Sequence, residues 1–323
     1  MLLKPLPSLA LAAALVLGQA LAPSLAPADA PLQKAQVPGY YRQALGAFEV
    51  TALNDGQIQL DTKLLHHASP KQLQRQLAEH LRANPVPTSV NAYLVNTGGK
   101  LVLVDTGAAT LFGPGLGQLL SSLKASGYSP EQVDAVLITH FHGDHVGGLA
   151  SPDAKAVFPN ATVYAAKAEA DFWLSPEQTA KAPEAMQGFF KMAQASLKPY
   201  VDANRLQTFS GDVELLPGVK AVATPTHTPG HTSYLFESQG HRMLVLGDLI
   251  HFSTVQFALP DVSIDFDSDQ PHAVATRKKI FSWVAKDQLL VAGAHLPFPG
   301  LGQIRANGKK AYAWVPVDFT PSK

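Results

Sequence analysis

The segment Thr139-His140-Phe141-His142-Gly143-Asp144-His145-Val146-Gly147-Gly148 constrains this chain most, because it crowds four metal-capable side chains against the end of an apolar run, Val133 to Ile138. A polar strand-to-helix loop would explain one such histidine as a cap or hydrogen-bonding group, but a cluster at ligand spacing argues for an ion. The apolar run reads as a buried strand. A strand sends alternate side chains to one face, so His140 and His142 leave its end together, whereas Asp144 and His145 come from the turn beyond. One loop can therefore feed two donor sets. Neutral imidazole and carboxylate suit zinc and similar divalent ions, and coordination positions left open on such ions are what hydrolytic sites use.

Three further candidates follow in chain order: His231 in Thr228-Pro229-Gly230-His231-Thr232, Asp248 in Leu246-Gly247-Asp248, and His295 in Ala292-Gly293-Ala294-His295. Asp105 stands earlier, in Val104-Asp105-Thr106-Gly107. With these elements in this order the sequence resembles the metallo-β-lactamase superfamily. The resemblance implies an α+β chain folded as an αββα four-layer sandwich, two mixed β-sheets flanked by helices. It also implies two divalent metal ions per chain, zinc first, with cobalt, manganese or iron as alternatives. On the family pattern His140, His142 and His231 hold one ion, Asp144, His145 and His295 hold the other, and Asp248 bridges them. Two such ions would share a water and lower its pKa toward ~7, giving a bridging hydroxide as nucleophile. His227 is expected in a supporting role, and Asp105 as the group that orients the metal loop.

Donors spread from residue 140 to residue 295 have to converge, so 39–323 is expected to be a single catalytic domain. The 25 basic and 25 acidic side chains cancel, which gives no reason to expect nucleic acid or an acidic membrane as partner. Lys4, the apolar run Leu9 to Leu17 and the small residues Ala26-Pro27-Ala28 read as a signal peptide over 1–28, with a Pro- and Ala-rich flexible leader at 29–38. The apolar core is shorter than the ~20 residues a spanning helix needs, so after cleavage no membrane attachment is expected. A periplasmic or secreted location follows. Export usually brings disulfides, yet there is no cysteine, so core and metals must supply stability.

Ala47 to Leu60 alternates around Asp55-Gly56 and reads as a hairpin turning there. Ser69-Pro70 predicts a helix start and a run to about Ala83. Ser89–Val95 and Lys100–Val104 are expected to pair through Thr97-Gly98-Gly99. Leu119, Leu120 and Leu123 form the predicted apolar stripe of the next helix. Beyond the metal loop the pattern predicts a helix opening at Val146, a strand at Ala161–Ala165, a helix from Ala166 to Leu174 and a helical insertion at about 175–203. Strands at 213–224, 233–237, 243–246 and 289–292, a helix at about 271–284 and a final hairpin turning at Asn307-Gly308 complete the chain.

The segments Tyr40-Tyr41-Arg42, Leu111-Phe112-Gly113-Pro114, Glu169-Ala170-Asp171-Phe172-Trp173 and Phe298-Pro299-Gly300 look similar to the methyl parathion hydrolase branch of the superfamily. That likeness implies an aromatic substrate pocket of Phe112, Trp173 and Phe189, and a homodimer. Leu65, His251, Ile264 and Phe266 depart from the branch pattern and narrow the expected pocket. A tighter pocket with an added imidazole favours flat carbonyl esters, so the expected substrates are lactones and aryl esters of the dihydrocoumarin type. Organophosphate triesters are the alternative, and β-lactams or acyl-homoserine lactones a second one. Asp248, Asp144 and His251 are the catalytic candidates.

Overall fold

The computed structural model describes Met1, Ala30 and residues 32–319. Residues Met1–Val37 and Pro38–Lys323 are two separate units. Apart from Met1, the expected signal peptide lies outside the described residues. Residues 32–37 carry neither helix nor strand and are exposed. None of the described helices is long and apolar enough to cross a membrane.

The larger unit is built on two seven-stranded sheets. The first runs, edge to edge, through Tyr40–Leu45, Phe48–Leu60, Val86–Asn96, Leu101–Val104, Ala135–Leu137, Thr162–Ala166 and Leu206–Phe209. The second runs through Ala311–Pro316, Leu301–Asn307, Leu290–Ala292, His241–Val245, Thr232–Ser238, Val219–Ala223 and Val213–Leu216. Both are mixed: Leu101–Val104, Ala135–Leu137, Thr162–Ala166 and Leu206–Phe209 pair in parallel, as do His241–Val245 and Leu290–Ala292, and the other pairs are antiparallel.

Strand alternation sorts the layers. Val102 and Val104 face the core between the sheets with Tyr234, Phe236 and Met243, whereas Leu101 and Leu103 face the outer helices with Leu123, Phe190 and Leu197. Across the second sheet Leu244 and Val291 pack on Ile280, Phe281 and Val284 of the helix Gln270–Lys286. The result is the expected four-layer sandwich, helices outside and two sheets within. Three apolar cores stacked this way fix the sheet edges from which the metal loops emerge.

Ser69 caps the helix Pro70–Glu79 through a reciprocal bond with Gln72, as its sequence predicts. Asp55-Gly56 is not a hairpin turn. The chain reverses at Gly46-Ala47, and Asp55 lies inside the strand Phe48–Leu60, where the register slips between Asn54 and Gly56. A bulge uses the same residue pair as a tight turn, and the packing of the strand Tyr40–Leu45 decided between them. Leu120 is exposed, so the helix Leu119–Ala125 rests on Leu119 and Leu123. The predicted strand at 213–224 is broken at Pro217-Gly218 into two that pair with each other. Leu206–Phe209 and the two-stranded ladder of Leu65–His66 with Ser263–Ile264 were not foreseen, being too short to show a period. After the metal loop there is one helical turn, Gly143–Val146, followed by a tighter turn, Gly147–Leu149, in place of a full helix.

Candidate metal centre

The strand Ala135–Leu137 ends under the first sheet's rim and delivers the loop that holds His140, His142, Asp144 and His145. Asp105, at the end of the neighbouring strand, fixes that loop: its carboxylate accepts from the Thr139 amide and hydroxyl, both at 2.8 Å, and lies 2.8 Å from His145 Nδ1. Asp105 holds φ 60, a left-handed conformation that a residue other than glycine keeps only where its surroundings over-determine it. With Nδ1 committed to this carboxylate, His145 presents Nε2 to the cleft. His295 is aimed the same way, its Nδ1 donating to the Ser89 carbonyl at 3.0 Å.

Two donor groups converge. His140, His142, His227 and Asp248 bring one ligand atom each to within 4.8 Å of one another, and so do Asp144, His145 and His295. They meet at Asp248, whose Oδ1 is 3.2 Å from His145 Nε2 and whose Oδ2 is 3.2 Å from His295 Nε2. Among the described residues His140 Nε2, His145 Nε2 and Asp248 Oδ1 are buried with no hydrogen-bond partner. Orphaned buried acceptors are costly unless something pairs with them, and a donor set of imidazole and carboxylate fits divalent ions of the zinc type.

His231 does not join either group. Its Nε2 accepts the Asp248 amide at 2.9 Å, and its Nδ1 lies 2.9 Å from Thr224 Oγ1 and 3.1 Å from the Thr224 carbonyl, so both ring nitrogens are spent. The ring therefore holds the loop of Asp248 rather than an ion. His227, expected only in support, takes the place expected of His231, with Nε2 3.1 Å from His142 Nδ1 and 3.4 Å from Asp248 Oδ2. Asp267, 3.0 Å from His227 Nδ1, sets that orientation. Both histidines sit in one turn, and spacing alone does not say which ring faces the cleft.

Electrostatics follow from this packing. Burial and the neighbouring His145 keep His140 well below the ordinary imidazole value, and burial and His227 do the same for His142. Burial and His227 bring His231 down to about 3. Burial opposes protonation of His227, but Asp248 and Asp267 outweigh it and push the group up to about 9. Burial would raise Asp248, yet His145, His295, His140 and His251 hold its carboxyl well below the usual range. The cleft is thus a buried carboxylate, Asp248, ringed by imidazoles, with the Asp144 carboxylate 3.5 Å from His295 Nε2 at its side.

The aromatic residues named from sequence divide. Trp173 is buried, with its ring edge-on to His142 at 5.4 Å, and Phe189 is half-buried, 6.4 Å from the same ring. Phe112 is exposed and lies over Gly143, 3.1 Å from where a Cβ would stand, so a side chain there would press on the ring. Phe266 is also exposed, 5.7 Å from His251. Leu65 and Ile264 do not line an open surface. They pair across the short ladder and are buried in a cluster with Leu60, Leu73 and Phe252. His251 lies at the centre, its Nε2 3.1 Å from Asp248 Oδ2.

Sequence reading missed the supports behind these groups. Buried Glu169 accepts from the Phe141 and Gly230 amides, both at 2.8 Å, and so ties the metal loop to the turn of His227. Buried Arg277 donates to the carbonyls of Leu249, Pro260 and Val262 and stands 3.6 Å from Asp267. Neither carries a local motif, so each becomes visible only once the fold brings distant segments together.

The profile of the family described as Metallo-beta-lactamase superfamily matches residues 85–308. The crystal structure of "hydrolase AbOPH in beta lactamase superfamily" is 42% identical and covers 89% of this chain and 100% of its own, at a TM-score of 0.85. AidC, a dizinc quorum-quenching lactonase solved with the product N-hexanoyl-L-homoserine, is 29% identical over 88% of this chain and 99% of its own, at a TM-score of 0.81. An N-acyl homoserine lactonase of Bacillus sp is 27% identical over 63% of this chain and 79% of its own length.

Proposed function

The chain belongs to the metallo-beta-lactamase superfamily and is a metal-dependent hydrolase, and from that premise we propose that it opens lactones and cleaves aryl esters at a two-ion centre. His140, His142, His227 and Asp248 would hold one ion and Asp144, His145, His295 and Asp248 the other. The observation that carries the reading is the convergence of both donor groups on the single buried carboxylate of Asp248. A pair of divalent ions in such a site supplies Lewis acidity toward an acyl oxygen and makes water acidic enough to attack at neutral pH.

The protein's own contribution is orientation and exclusion of water. Asp105, Asp267 and the Ser89 carbonyl each occupy one nitrogen of His145, His227 and His295, which fixes the tautomer and points the other nitrogen inward. Phe112, Phe189 and Phe266 offer aromatic surface suited to an aryl group or to the flat face of a lactone, and buried Trp173 backs the ring of His142. The buried imidazole of His251 narrows the cleft on the side of Asp248. The lactonase activity named for AidC and for the Bacillus relative supports the same acyl chemistry.

A substrate panel on metal-loaded protein tests this, using dihydrocoumarin, phenyl acetate, an N-acyl homoserine lactone, a penicillin and methyl paraoxon. Lactone or aryl-ester turnover leading by tenfold or more is the expected result. Preference for methyl paraoxon would place the chain with the methyl parathion hydrolases, and preference for the penicillin would overturn the acyl-ester reading. We further propose export to the periplasm or medium, on the strength of the N-terminal pattern, and a homodimer. Fractionation of expressing cells and light scattering of the purified protein check these two.

A further inference from the structure

His251 belongs to neither ion's donor set, yet it is placed like a ligand. Its Nε2 and that of His295 stand 3.1 and 3.2 Å from the same oxygen, Asp248 Oδ2, and the three ligand atoms lie within 4.8 Å of one another. Donors bound to one tetrahedral ion at about 2.0–2.1 Å are themselves roughly 3.4 Å apart. The rings of His251 and His295 stack at 5.1 Å with planes 20° apart, and both Nε2 atoms face Asp248 Oδ2.

The crowding at Asp248 strengthens the point. Four imidazole nitrogens, from His140, His227, His251 and His295, lie within 3.5 Å of Oδ2. A carboxylate oxygen has two lone pairs and cannot accept from four donors. Some of these nitrogens must then turn lone pairs toward the carboxylate, an arrangement that only an intervening cation makes favourable.

His251 is also held in place beforehand. Buried Gln256 accepts from the His251 amide at 2.8 Å and the Phe252 amide at 3.0 Å and donates to the Val262 carbonyl at 3.1 Å, while Arg277 holds the Leu249 carbonyl. These bonds fix the backbone that carries the ring, while Nδ1 of His251 has no hydrogen-bond partner, so the ring's orientation rests on its stacking with His295 and on Asp248.

We propose that Asp248, His251 and His295 form an alternative seat for the second divalent ion. It shares two donors with the seat of Asp144, His145 and His295, so one ion occupies one or the other. The inference rests on the two-ion reading, and its test reads metal binding rather than turnover.

Metal-free protein, His251→Leu, Asp144→Ala and the double variant are titrated with cobalt(II), following ligand-field absorption and competition with a chelator. Expected are two equivalents in Asp144→Ala, one in the double variant, and in His251→Leu a second-equivalent affinity lowered by roughly twofold with a changed ligand-field spectrum, because the affinities of two exclusive seats add. Circular dichroism and melting of the metal-free variants separate loss of a ligand from loss of fold. Should Asp144→Ala fail to fold, His251→Leu decides alone: an unchanged second-equivalent affinity and spectrum overturns the proposal. Equal binding by Asp144→Ala and the double variant overturns it as well. One equivalent in the unmodified protein would instead defeat the two-ion reading itself.

Discussion

At the residue scale, the exchange of roles between His227 and His231 is the sharpest lesson. Both precede Asp248 in one turn, and what separates them is what the second nitrogen of each ring touches. His227 is backed by Asp267 and faces the cleft, whereas His231 accepts the Asp248 amide. His227→Ala is therefore expected to reduce bound metal from two ions toward one. His231→Ala should keep both ions and lose about 1–3 kcal/mol of stability, the cost of leaving a buried amide unpaired. Metal analysis by mass spectrometry with chemical denaturation of the two variants checks this, and the opposite pattern would restore His231 as ligand. Local order and residue type made the rest of the donor set readable, since His140, His142, Asp144 and His145 need only one strand end and one turn.

At the element scale, the bulge at Asp55 shows how one residue can govern a loop. Its buried carboxylate accepts from the Ala108 and Leu119 amides, both at 2.9 Å, clamping the two ends of the loop that lays Phe112 over the metal loop. Burial raises its pKa, which the backbone amides of Ala108, Gly117 and Leu119 partly offset. Asp55→Asn replaces one acceptor oxygen with a donor that faces an amide. KM for aryl esters should rise by ~10-fold, the scale of one hydrogen bond to a charged group, with kcat within about twofold and metal content unchanged. Phe112→Ala should give the same KM change, and the two should not add. Additive effects would separate the clamp from the aromatic loop. From sequence Asp55-Gly56 reads as a turn, because the preference for φ > 0 at Gly56 is common to turns and bulges and its pairing partner, Val90, lies on a distant strand.

At the scale of the whole molecule, the site joins both sheets, so ions bound there stabilise only the folded chain. Chelation should lower the melting temperature, by an amount that grows with the metal affinity of the folded state. The metal-free protein should then show two limits in pH. Burial opposes the depression of Asp267, but His227 and Arg277 hold its pKa below the ordinary value, so its stabilisation is present above about pH 4 and lost as pH falls through the folded value. His227 is raised to about 9, so its stabilisation is complete below about pH 6.5 and lost as pH rises through about 9. Melting of the chelated protein from pH 3 to 10 should give a plateau between these limits. The metal-loaded protein should not lose stability on the alkaline side, because the ion replaces the proton on His227. A flat alkaline limb in the metal-free protein would count against the pairing of His227 with Asp248 and Asp267.

By itself the sequence determined the metal loop, because His140, His142, Asp144 and His145 rest on a short-range rule, donor spacing at one strand end, whereas the layer order, Asp248 and His295 were legible only through the family resemblance. Only the tertiary structure decided which of two histidines in a turn faces the cleft, that Leu65 and Ile264 are core, and that Glu169, Asp267 and Arg277 support the site. These depend on contacts between segments tens of residues apart, whose geometry is set by how the two sheets pack and not by any local pattern.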